Sequence, residues 1–165
     1  MDPKVKDLLI STLMFNARLI KMTLADFSDA DMVVRPVPGA NHAAWQLGHM
    51  LVSETRMING IKPGAAATLP DGFPDLFNRK TTSVDDPAKL ATKSQLLDVL
   101  DKVRAASVDF VKTLTTDDLP KPGPEQIRQL APTIGDVVQL ISNHGFMHIG
   151  QIQVIRRKLG KPVLF

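Results

Sequence analysis

The chain has 165 residues, 44% of them apolar, and its 20 Lys and Arg against 17 Asp and Glu give a formal net charge of +3. That length and apolar share fit a single domain over residues 1–165, and the basic residues are scattered rather than stacked, which argues against a nucleic-acid partner. With no cysteine there is no disulfide, thiolate ligand or cysteine nucleophile, so any thiol used must come from outside.

No apolar run reaches the ~20 residues that span a bilayer, and Met1-Asp2-Pro3 opens without a signal-peptide pattern. The expectation is a soluble, cytoplasmic protein with no membrane partner. Asp2 and Pro3 read as a helix cap and a first-turn proline. Leu8, Leu9, Leu13, Leu19, Ile20 and Leu24 then carry the helical period to about Phe27. Asp26 to Gly39, with Pro36 and Pro38, reads as an irregular connector.

Asn41 can cap a second helix to about Asn59, closed by Gly60. Ala44, Leu47, Leu51 and Ile58 share one face of it, and Trp45, His49, Val52 and Arg56 form the stripe beside them. From Ile61 to about Ala91 prolines and glycines recur around Phe73 and Phe77. A connection of that length is a flap or a crossover between distant helices, and either could cover a site.

Thr92 and Gln95 have capping-box spacing, and Leu96 to Val111 carry a third helix to about Leu114. Prolines at 120, 122, 124 and 132 forbid a continuous helix through the next interval, which has room for a short turn around Glu125 to Leu130. Thr133 with Asp136 opens the last helix, and Gly160 followed by Pro162 stops it; Arg156, Arg157 and Lys158 suit its carbonyl end. No segment alternates as a strand. The economical architecture is all-α: a four-helix antiparallel bundle with a long connection between helices two and three.

His144 and His148 stand a turn apart on the core-facing arc of the last helix, within reach of one metal ion. Buried imidazole nitrogens without partners cost a few kcal/mol, which core hydrogen bonds or one shared cation would offset. A third ligand could come from His42 or His49, and depth within helix two favours His49. Gly145 and Gly150 each cost about 1 kcal/mol against alanine in a helix, so they suggest close approach by a neighbour.

His144-x-x-x-His148-x-Gly150-Gln151-Ile152, followed by Arg156-Arg157-x-Leu159-Gly160-x-Pro162, resembles the last helix of the DinB-like (YfiT-like) superfamily of metal-dependent enzymes. Trp45-x-x-Gly48-His49-x-x-x-x-Glu54 is similar to its second-helix motif. The resemblance implies a four-helix bundle holding zinc or nickel on the positions of His49, His144 and His148, and often a homodimer. It also implies a small-molecule substrate, because members with assigned activities are transferases and isomerases that use low-molecular-weight thiols such as bacillithiol or mycothiol.

Gln151 shares the histidine face and could orient a ligand or bind water. Glu54 is turned about 140° from His49, which suits an ion pair or an interface better than the same metal. Trp45 reads as core packing that could line the pocket. Two functions follow as expectations: a metal-dependent hydrolase or thiol S-transferase in which the ion activates water or an external thiol, or a non-enzymatic metal- or small-ligand-binding bundle of a stress response. A third reading is a helical interaction module whose histidines only hydrogen-bond in the core.

Overall fold

Capping chemistry sets the ends of the long helices in the computed structural model, which describes residues 1–164. The Asp2 carboxylate accepts from the Lys4 N–H and Pro3 enters the first turn, opening α1 (Pro3–Leu24). The stretch expected to be irregular holds a one-turn helix, α2 (Asp29–Met32), because Ser28 and Asp31 form a reciprocal capping box. The next cap also differs from expectation. His42, not Asn41, opens α3 (Ala43–Ile61): its Nδ1 accepts the Trp45 N–H at 3.1 Å, while the Asn41 carbonyl takes the Gln46 amide at 2.7 Å.

Gly60 lies inside α3 rather than closing it, and a Cβ there would press on Pro124 at 2.9 Å. The long connection carries α4 (Phe73–Leu76) and 3-10 turns at Arg79–Thr81 and Pro87–Lys89. The Thr92/Gln95 box then opens α5 (Lys93–Thr113), and the Thr133/Asp136 box opens α6 (Ile134–Lys158), with Gly160 just beyond it at φ +67°. The expected turn near Glu125 is a 3-10 turn over Glu125–Ile127. Among the described residues the chain forms no strand, only a single bridge between Pro122 and Thr133.

α1 packs on α5 and α6, and α3 packs on the same two. Cross-helix contacts fix the directions. Lys21 reaches Asp101 and Lys6 reaches the Lys112 carbonyl, so α1 and α5 run oppositely; Asn16 meets Ser142 and Thr23 meets Gln153, so α1 and α6 run together. Gln46 meets His148 while Met57 and Ile58 cluster with Ile134 and Val137, so α3 and α6 are antiparallel. The first half of α3 clusters with Leu96 to Val103 and its end with Phe110 and Val111, which makes α3 and α5 parallel.

The bundle is therefore not the antiparallel one expected. Two parallel neighbours require a return path, and residues 62–92 supply it by climbing back along α3. Ala66 hydrogen-bonds Asn59, Phe77 fills the space left by Gly48, Asn78 and Thr81 take the Trp45 indole N–H, and the Val84 carbonyl meets His42. This is the crossover that the length of the connection suggested.

The apolar core is split into two clusters. Between them each long helix contributes buried polar residues: Asn16 from α1, Glu54 from α3, Arg104 and Ser107 from α5, Ser142 from α6. Next to this layer, toward the first cluster, lie the histidines of α3 and α6. At the carbonyl end of α6, Arg156 does more than favour the helix dipole. It is buried and ties Asp26, the Thr23 carbonyl and the Pro162 carbonyl together.

Candidate metal centre

His49 comes from the middle of α3, and His144 and His148 from the middle of α6, where the antiparallel pair brings polar side chains of both helices together. Gly145 allows this closeness elsewhere on α6: a Cβ there would overlap the Asn16 carboxamide of α1, which instead donates to the Ser142 carbonyl at 3.3 Å. Gly150, by contrast, faces open space, contrary to the close approach expected of it.

The ligating atoms of His49, His144 and His148 all lie within 4.8 Å of one another. The Nε2 atoms of His144 and His148 are 2.9 Å apart, and the His49 ring stands edge-on to both, with centroids 5.3 and 5.7 Å away. Trp45 lies flat on His49 at 4.8 Å and 6°, and its indole N–H is held by the connection at Asn78 and Thr81. Thus the tryptophan locks one imidazole and also fixes the wall above it.

Burial keeps all three rings neutral. It pulls His144 down to about 4, helped by the charge of His49, and His148 down to about 3, helped by both other rings and opposed by the nearby Gln151 carboxamide. His49 is lowered by burial and then by the charges of Arg56 and Arg79. The tautomer of His148 follows from its neighbour. Gln46 uses its amide nitrogen on the Asn41 carbonyl, so its oxygen must accept from His148 Nδ1–H at 3.2 Å, leaving Nε2 with a lone pair toward the other rings.

Three neutral imidazoles with one lone pair oriented inward fit a divalent transition metal, and no carboxylate belongs to the group. The residue that orients His148 was not among those singled out from the sequence. Gln46 stands three residues before His49 on α3, so the signal was a buried polar residue on the histidine's own face. Gln151 is exposed, one turn beyond His148 at the rim of the site. Trp45 is buried and lines the site through His49.

Glu54 points away into the polar layer, where it is 1% exposed, 3.3 Å from the Arg104 guanidinium and bonded by the Ser107 hydroxyl. Burial outweighs both partners and raises its carboxyl above the usual range. His42, the alternative third ligand, serves instead as the cap of α3 and a tie to Val84.

No curated protein matches the sequence. Among solved structures the fold is similar to YfiT from Bacillus subtilis, described as a probable metal-dependent hydrolase with an unusual four-helix bundle topology. The TM-score is 0.69 at 18% identity, covering 98% of this chain and 91% of that one. It is equally similar to a conserved protein from Enterococcus faecalis, with a TM-score of 0.69 at 18% identity, covering 95% of this chain and 98% of the other. The family model described as the DinB superfamily matches residues 14–152, so the chain belongs to the DinB superfamily.

Proposed function

We propose that this protein is a metal-dependent enzyme in which His49, His144 and His148 hold one divalent transition metal, zinc or nickel, and in which water or an external low-molecular-weight thiol attacks a small electrophile. The observation that carries this reading is the meeting of three neutral imidazoles from two helices, with no other protein ligand in the group. When bound, such an ion supplies Lewis acidity and lowers the pKa of a nucleophile, water or thiol, brought to its open position.

The chain's own residues set up that chemistry. Gln46 holds the His148 tautomer, Trp45 holds the plane of His49, and the connection over residues 73–84 covers α3 beside the site and limits water there. The absence of cysteine makes an external thiol the source of sulfur in the transferase version. A homodimer belongs to the same proposal. Leu8, Phe15 and Met22 stand exposed at seven-residue spacing along α1, beside exposed Met147 and Val154 on α6, an apolar stripe suited to a second copy.

Metal analysis after incubation with zinc or nickel tests the ligands: about one equivalent is expected for the wild type and a small fraction of that for His144→Ala. Substoichiometric metal in the wild type overturns the reading. Catalysis is then tested by presenting the loaded protein with hydrolysable esters, and with electrophiles plus bacillithiol, mycothiol or glutathione. Rates unchanged in the triple histidine variant would leave a metal-binding protein without catalysis at this site.

A further inference from the structure

Three arginines in the bundle are tied to carboxylates: Arg35 to Asp85, Arg104 to Glu54 and Arg156 to Asp26. Arg56 and Arg79 are exposed, and among the described residues neither has a carboxylate within 4.0 Å. Both belong to the elements that frame the triad. Arg56 is two turns beyond His49 on the same face of α3, about 10 Å along the axis, and a helical side chain leans back toward the N-terminus, here toward His49. Arg79 follows Asn78, whose carbonyl takes the indole N–H of the tryptophan stacked on His49.

The two arginines stand on different elements, one on the helix that carries His49 and one on the connection that packs along it. Both guanidiniums keep their positive charge at any physiological pH. No acidic side chain of the triad group offsets it. A cation bound there would add charge of the same sign, leaving a strongly positive opening beside an activated nucleophile.

The geometry points to an anionic ligand at the open side of the triad, its carboxylate or phosphate group held between Arg56 and Arg79. This names the substrate class of the site and rests on the metal-centre reading above. Guanidinium forks suit planar or tetrahedral oxyanions and hold them in a fixed orientation, so the same contacts that bind the substrate would aim its electrophilic carbon or phosphorus toward the histidines.

The test is an anion titration rather than a rate. Cobalt(II)-loaded and metal-free protein are titrated by calorimetry with methylphosphonate and with propionate, and the tighter of the two identifies the oxyanion. Charged hydrogen bonds are worth about 1.5–3 kcal/mol, so Arg56→Ala with Arg79→Ala is expected to weaken the anion about tenfold or more. Arg56→Lys with Arg79→Lys recovers part of that affinity, because charge is kept and the fork is lost. Cobalt affinity does not fall in the alanine pair, since two repelling cations have been removed. Equal anion affinity in the wild type and the alanine pair overturns the inference, as does a wild type that binds neither anion. If the wild type takes up no cobalt, the metal reading fails by itself, and the metal-free titration still decides the role of the arginines.

Discussion

Gln46 is the side chain on which the chemistry of His148 depends, because its carboxamide oxygen accepts from Nδ1–H and leaves Nε2 bare. Gln46→Leu removes the acceptor for Nδ1–H while keeping bulk, and metal affinity is expected to fall about 10- to 100-fold with the fold intact. Competition against a chelating dye, beside a thermal melt, reads both; unchanged affinity would mean that the ring is held by packing alone. Glu54 gives the opposite pattern. Glu54→Ala strands the buried Arg104 charge, which already has its Nε and Nη1 without hydrogen-bond partners, and should cost about 3–5 kcal/mol in denaturant unfolding. Metal bound per folded molecule should not change, and a parallel loss would place Glu54 in the site. The His144 and His148 pair was legible because spacing on a helix is a local property, whereas His49 rested on its depth in helix two and on the family resemblance. Gln46 was not, because its role depends on a residue of α6 more than a hundred positions away.

At the scale of the element, the connection over residues 62–92 is pinned along the length of α3, and the closest approach is that of Phe77 to Gly48. A Cβ there would overlap the Phe77 ring, which is buried and packed against Phe73 at 4.8 Å. The helix backbone cannot yield, so the ring must leave. Gly48→Ala is expected to cost about 1–3 kcal/mol and to loosen the connection. Trp45 is the only tryptophan and its indole N–H bonds to that segment, so its fluorescence reports the change directly. A red shift and faster proteolysis within residues 62–92 are expected, and a native spectrum would show that Phe77 repacks. Helix boundaries were largely readable from caps such as Thr92 and Thr133, since a cap is a short-range hydrogen bond. The direction of α5 was not, because apolar periodicity marks a face and says nothing about which end is up. The cap of α3 was missed for a related reason: a histidine in that role is rare, and Asn41 offered a commoner acceptor.

For the molecule as a whole, acid sets the most informative challenge, because His42, His49, His144 and His148 are all lowered, with burial the first cause in each. Above pH 6.5 these imidazoles are neutral both folded and unfolded and contribute no pH dependence. Below it the unfolded chain takes up protons that the folded chain refuses, so stability falls from about pH 6.5 toward 3. The raised carboxyl of Glu54 works the other way as pH drops toward 4.5 and flattens part of that slope. Asp26, Asp31 and Asp85, lowered by their hydrogen bonds to Arg156, Ser28 and Arg35, add a further loss below 3.8. The consequence for metal binding is distinctive. Ordinary imidazole ligands begin to lose metal to protons at about pH 6.5, whereas a site whose rings resist protonation keeps its affinity well below that. Zinc affinity measured by competition should therefore stay level from pH 7.5 to below the ordinary imidazole value and fall only where the first of the three lowered rings takes a proton. An affinity that drops in proportion to protons from pH 6.5 downward would mean that the rings are solvated in solution, and the burial that makes this bundle a candidate enzyme would not hold.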